Sequence, residues 1–140
     1  MSKHILFMCV ANSIRSQMAE ALARHYFRRD IAISSAGKSQ GRLSDEVVSL
    51  LAADGVSTAG QRSKSVDDID LDTVDVAISV AEFDVLPRLP RTVEAIVWQI
   101  PDPTVYQYRG RADVGFRDVR DLLRESILAL GRERGFLAEP

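Results

Sequence analysis

Four short apolar runs with amphipathic segments between them constrain this chain most. The runs lie within His4–Val10, Ile31–Ser35, Val74–Val80 and Val93–Ile100, and they read as strands. Val74–Val80 is largely β-branched and apolar, the composition of a strand buried on both faces of a parallel sheet. Ser16 to about Arg28 has helical spacing, with Met18, Ala19, Leu22, Ala23, Tyr26 and Phe27 on one side. Glu20 and Arg24 form an i,i+4 pair on that segment. Ser44 is a good N-cap for a second helix, with Val47, Val48, Leu50 and Leu51 facing inward and Asp54-Gly55 closing it. Ser65 caps a short turn near Val66–Ile69. Ala112 to about Arg132 predicts a long amphipathic helix whose buried stripe is Phe116, Val119, Leu122, Leu123, Ile127 and Leu130. Strands that alternate with helices predict the α/β class: a three-layer sandwich on a four-stranded parallel sheet of order 2-1-3-4.

At 140 residues the chain fits one domain, residues 1–140, with a sizeable core. A formal net charge of -2 gives no electrostatic case for nucleic acid or acidic membranes. No apolar run approaches the roughly 18 residues of a membrane helix, and no signal peptide is recognisable, so a cytoplasmic location is expected. The single cysteine excludes an internal disulfide. No repeat or low-complexity tract interrupts the chain.

That cysteine, Cys9, ends the first strand, and Arg15 follows six positions later, at the start of the first helix. A thiol and a guanidinium therefore share one short strand-to-helix loop, Val10-Ala11-Asn12-Ser13-Ile14-Arg15-Ser16. Successive N–H groups of a curled loop and the partial positive charge of a helix N-terminus suit a tetrahedral oxyanion. Arg15 adds a planar fork with two parallel donors. The same positive field stabilises a thiolate, and Ser16 offers a hydrogen bond to its sulfur. Asn12 is short enough to bond the loop's own backbone and to adopt a left-handed conformation. In parallel sheets ligands bind at the carboxyl ends of strands, at the topological switch point, where this loop falls.

Trp98-Gln99-Ile100-Pro101-Asp102-Pro103 closes the fourth strand and opens the next loop. That loop is expected at the same edge of the sheet. Prolines on either side restrict the backbone and aim the Asp102 carboxyl in one direction. A carboxyl facing an anion pocket can protonate a leaving oxygen. Neither His4 nor His25 has a second ligand at metal spacing, so both are expected at the surface and no metal site is expected. Arg109 and Arg111 are expected in solvent, and Tyr106 and Tyr108 are read as loop residues packing on the core rather than as pocket walls.

These motifs together resemble the low-molecular-weight protein tyrosine phosphatase superfamily, and more closely its arsenate reductase branch. The residues that carry the resemblance are Cys9-x5-Arg15-Ser16, Asn12-Ser13, Arg15-Ser16-Gln17-Met18-Ala19-Glu20, Ser35-Ala36-Gly37, Gly60-Gln61-Arg62-Ser63-Lys64 and Asp102-Pro103. The resemblance implies attack by the Cys9 thiolate on arsenate or a phosphate ester. Arg15 and the loop amides would hold the oxygens, and Asp102 would act as general acid. In this branch a potassium ion or a lysine supports the cysteine loop, and Lys64 lies where that lysine would fall, beside Asn12. Three departures stand out. Ala11 replaces the usual glycine of the loop, no thiol lies within Val74–Pro90, where Ser79 and Leu86 stand, and Thr104 follows Asp102-Pro103 in place of an aromatic residue.

The resemblance leaves two activities and one bland alternative. An arsenate reductase with one cysteine needs an external thiol (glutathione, mycothiol or bacillithiol) and then a glutaredoxin-like partner. No bound cofactor is expected. A phosphatase acting on aryl phosphate monoesters needs no second thiol: Cys9 forms a cysteinyl-phosphate and Asp102 activates water. The intact Cys9, Arg15 and Asp102 set argues against a merely oxyanion-binding domain.

Overall fold

The computed structural model describes residues 3–104 and 112–139. Tyr106, Tyr108, Arg109 and Arg111 lie outside the described residues. The described elements are β1 (His4–Cys9), α1 (Arg15–Tyr26), β2 (Ala32–Gly37), α2 (Asp45–Ala53), β3 (Val76–Ser79), β4 (Glu94–Val97) and α3 (Ala112–Arg134). Two 3-10 turns, Val66–Asp68 and Leu71–Thr73, precede β3, and Ser65 caps the first through its side chain.

All neighbouring strands are parallel and the order is β2-β1-β3-β4, as the alternation of strands and helices predicts. Leu6, Phe7 and Met8 of β1 are wholly buried because the central strand is covered on both faces. Ile5, Phe7 and Cys9 point into the main core, where α1, α2 and α3 contribute Met18, Leu22, Leu51, Val119, Leu123 and Ile127. Leu6 and Met8 point the other way, into a smaller core with Val85 and Val93. That third layer is formed by the 3-10 turns and loops, with Val66, Ile69 and Leu71 packed on it.

The last two strands are shorter than their apolar runs. Val74 closes a 3-10 turn through its N–H to Leu71 O, and β3 begins only at Val76. Past β4 the pairing continues in isolated bonds, Trp98 N–H to Ser79 O and Ile100 N–H to Ala81 O. Leu122, assigned above to the buried stripe of the last helix, is instead 36% exposed. Leu123 takes the inward position beside it, since adjacent residues on a helix point about 100° apart. No helix among the described residues is long and apolar enough to cross a membrane.

Candidate active site

The Cys9 loop is shaped by where its carbonyls go. Cys9 O accepts from Lys38 N–H (3.2 Å), Val10 O from Ser39 N–H (3.1 Å) and Ser13 O from Ser44 N–H (3.1 Å). Ala11 O accepts from Ser63 Oγ (3.1 Å), Asn12 O from Gln17 Nε2 (3.2 Å) and Ile14 O from Met18 N–H (2.9 Å). Every carbonyl from Cys9 to Ile14 is thus tied to the scaffold. Among the described residues nothing accepts from the N–H groups of residues 11–14. A curled segment whose carbonyls point out turns its N–H groups inward, which makes an anion nest.

The start of α1 fits this arrangement. Ile14 is its N-cap and offers no side-chain bond, and no acid stands in the first turn. The end of the helix that carries partial positive charge is left for a ligand. Arg15 is 8% exposed, and its Nη1 donates to Ile100 O at 2.9 Å. That bond fixes the guanidinium between the loop and the end of the fourth apolar run.

Asn12 is the keystone of the loop. It has φ 52°, the one positive value among described non-glycine residues, and asparagine tolerates this region well. Its Nδ2 donates to Ser16 Oγ (2.8 Å) and Ser35 Oγ (2.9 Å). Its Oδ1 accepts from Lys64 N–H (2.7 Å) and Gln17 Nε2 (3.0 Å). Ser16 Oγ, which accepts from Asn12, lies 2.8 Å from Cys9 Sγ, within reach to donate its proton to a Cys9 thiolate. Ala11 has no positive φ, so its methyl costs the loop no backbone strain. Close packing takes the place of the expected loop glycine: a Cβ on Gly41 would sit 2.8 Å from Ala11 O and 3.1 Å from Ala11 Cβ. Gly37 is similarly confined, since a Cβ there would meet Asn12 N and Val10 O at 2.7 Å.

Behind Asn12 lies a charge network centred on the buried Glu20. Ser35 Oγ donates to Glu20 Oε1 at 2.5 Å, Arg24 Nη2 lies 2.7 Å from Glu20 Oε2, and Lys64 Nζ lies 3.9 Å from Glu20 Oε1. Glu20 is 2% exposed, so it is a buried ion-pair member and not merely the surface partner of Arg24. Lys64 also donates to Arg62 O at 2.8 Å. Burial pulls the Lys64 ammonium below its ordinary value of 10.5, and Glu20 acts against that shift.

Cys9, Val10, Ala11, Ser13, Ile14 and Arg15 line one cavity of about 330 Å³, and Asp102 and Thr104 close it from the other side. The structure therefore brings Cys9, Arg15 and Asp102 to one cavity, with Asn12 and Ser16 behind Cys9, and Lys64 meets Asn12 through its backbone N–H while its ammonium turns to Arg62 O and Glu20. Cys9 itself is 3% exposed at the cavity floor. Asp102 Oδ1 accepts from Thr104 N–H (2.9 Å) and Thr104 Oγ1 (2.7 Å). Asp102 N–H donates to Glu82 Oε1 at 2.9 Å. Thr104 thus orients the carboxyl, a use for the residue that replaces the expected aromatic. His4 is half-buried rather than on the surface, with Nε2 2.7 Å from Ser34 Oγ, while His25 is exposed. Neither lines this cavity.

Gln17, Glu20, Ser35, Ser63 and Glu82 hold the site in place and were not read as functional side chains from the sequence. Gln17, Glu20, Ser35 and Ser63 stand inside motifs quoted above, and that was the available signal. Their partners lie between 5 and 52 positions away and are set by the fold.

Residues 4–134 match the low molecular weight phosphotyrosine protein phosphatase family. The chain belongs to that family. A relative from Synechocystis sp., named glutaredoxin arsenate reductase, is 32% identical over 127 residues, covering 89% of this chain and 93% of its own length. An arsenate reductase from Bacillus cereus is 29% identical over 127 residues, covering 89% of this chain and 91% of its own. A solved structure described as an arsenate reductase in the phosphate binding state has a TM-score of 0.76 at 29% identity, covering 94% of this chain and 98% of that one.

Proposed function

We propose that this protein is an arsenate reductase that uses Cys9 as its one catalytic thiol and draws electrons from an external low-molecular-weight thiol. The observation that carries the reading is the loop: outward carbonyls, an uncapped α1 and a buried Arg15 around a cysteine. Similarity to proteins named arsenate reductase supports the choice of oxyanion. In this reading the Cys9 thiolate attacks the central arsenic, the N–H groups of the loop and Arg15 hold the oxygens, and Asp102 protonates the leaving oxygen. Ser16 holds the sulfur, and Asn12 with Lys64 supports the loop. The resulting Cys9–arsenic adduct needs a second thiol, and the chain has no other cysteine. Glutathione, mycothiol and bacillithiol are the reductants to compare, each followed by a glutaredoxin-like partner. A cytoplasmic site, where such thiols are kept reduced, goes with this reading.

One observation favours a second reading, a phosphatase acting on aryl phosphate monoesters: the lone cysteine suffices for a cysteinyl-phosphate mechanism. A turnover assay with two arms separates them. Arsenate with each thiol and its partner is read as arsenite, and an aryl phosphate without thiol is read as phosphate. Thiol-dependent arsenite with weak phosphate release is the expected result. Strong phosphate release with no arsenite under any thiol would replace the reductase by the phosphatase.

A further inference from the structure

The proposed reduction needs a second thiol to reach a sulfur that is 3% exposed. It must therefore arrive along a defined surface route. Beside the Cys9 cavity lies a second cleft of about 290 Å³, and the two share Ser13, Ile14 and Thr104 as common walls. The cleft is also lined by Arg42, Leu43, Ser44, Asp45 and Glu46, with Phe116 contributed by α3. We propose that this cleft binds the reducing thiol, and that it takes a thiol with an α-amino acid terminus, carrying a carboxylate and an ammonium on one carbon. The inference rests on the reductase reading and adds the binding site and chemical class of the reductant.

Charge and shape both point to that class. Arg42 Nη2 lies 3.3 Å from Asp45 Oδ2, and their side chains are 84% and 85% exposed. An ion pair so open to water holds about 0–1 kcal/mol. An incoming carboxylate and ammonium can exchange with it at little cost, carboxylate to Arg42 and ammonium between Asp45 and Glu46. Leu43 and Phe116 offer apolar surface to the methylene groups between that terminus and the sulfur. An uncharged thiol gains nothing from the Arg42–Asp45 pair.

The step balances with the thiol as reductant. Its thiolate attacks Cys9 Sγ, a sulfur–sulfur bond forms, and the Sγ–arsenic bond breaks. The bonding pair leaves with arsenic, which passes from As(V) to As(III) and departs as arsenite, taking up protons from water. Cys9 is left in a mixed disulfide. A thiol of the glutaredoxin-like partner, or a second equivalent of the small thiol, then attacks the bound thiol's sulfur, releases the Cys9 thiolate and carries that sulfur away in a new disulfide.

The test is steady-state arsenite production as a function of thiol concentration, with glutathione as the amino-acid-bearing probe and 2-mercaptoethanol as the uncharged one. Wild type is compared with Arg42→Ala and Asp45→Asn, both surface changes. The expected result is a rise of about fivefold in the glutathione KM for Arg42→Ala and a smaller rise for Asp45→Asn, with a higher ratio of glutathione KM to mercaptoethanol KM in both. Fivefold corresponds to about 1 kcal/mol, the upper end for so exposed a pair. A KM ratio that is the same in wild type and Arg42→Ala overturns the cleft while leaving the reductase intact. Absence of arsenite with every thiol removes the reductase reading and this inference with it.

Discussion

The N-termini of α1 and α2 lie at the same end of the molecule and are finished in opposite ways. α2 is satisfied by its own sequence: Ser44 Oγ accepts from Val47 N–H at 3.4 Å, and Asp45 and Glu46 stand in its first turn. α1 has no side-chain cap and no acid in its first turn, and it follows a loop whose carbonyls are all turned away. Both helices have the same orphan N–H groups and the same partial positive charge. A helix end neutralised by its own residues is structural, whereas one left open beside a buried arginine and a thiol is kept for an anion. The difference also locates the stabilising effort. Ser44 satisfies an N–H group of α2, whereas Asn12, Gln17, Ser35, Ser63 and the Lys64 N–H brace the loop before α1 and leave that helix's own N–H groups open.

Substitutions can break this contrast. The largest effect is expected for Cys9→Ser, which removes the nucleophile and leaves the open helix end: turnover is lost while titration with inorganic phosphate still shows binding. Normal turnover would remove Cys9 as nucleophile. Asp102→Asn keeps the oxygen that accepts from Thr104 and loses the acidic proton. Its turnover is expected to fall about 10²–10⁴-fold, with the denaturation midpoint and phosphate affinity near wild type. An unchanged rate across pH would take Asp102 out of the mechanism. Asn12→Ala strips four side-chain hydrogen bonds from the loop and puts alanine at a left-handed φ. A loss of about 3–5 kcal/mol is expected by urea denaturation, together with weakened phosphate binding. A loss under about 1 kcal/mol would mean that the loop does not depend on Asn12.

Ile14→Asp would give α1 the cap that α2 already has. Stability is expected to change little, because a gained cap offsets lost packing, while phosphate affinity falls about ten- to a hundredfold from like-charge repulsion. Retained affinity would show that the open end of α1 is not where the anion binds. Ser44→Ala sits at the other pole of the comparison and is expected to cost about 1 kcal/mol of stability, the usual value of an N-cap. Its phosphate affinity is expected to stay close to wild type, measured by the same titration.

The sequence by itself determined the class of fold and the identity of the central residues. Short apolar runs alternating with amphipathic helices leave few solutions besides a parallel sheet, and the observed order β2-β1-β3-β4 follows from them. Cys9, Arg15 and Ser16 were legible because a strand-to-helix loop holds them within a few residues, where spacing alone fixes proximity. Ala11 and Leu122 show the limit of such reasoning: one depends on a backbone angle, the other on which way a helix turns toward its neighbours. Asp102 is expected from the sequence at the same edge of the sheet as Cys9, but the other contacts that span the chain were decided by tertiary structure. Glu20 reads only as the i,i+4 partner of Arg24 until Ser35 and Lys64 are brought to it, and Glu82 carries no mark until the fold sets it against Asp102 N–H. Buried polar groups take their meaning from their partners, and those partners are brought together only by folding.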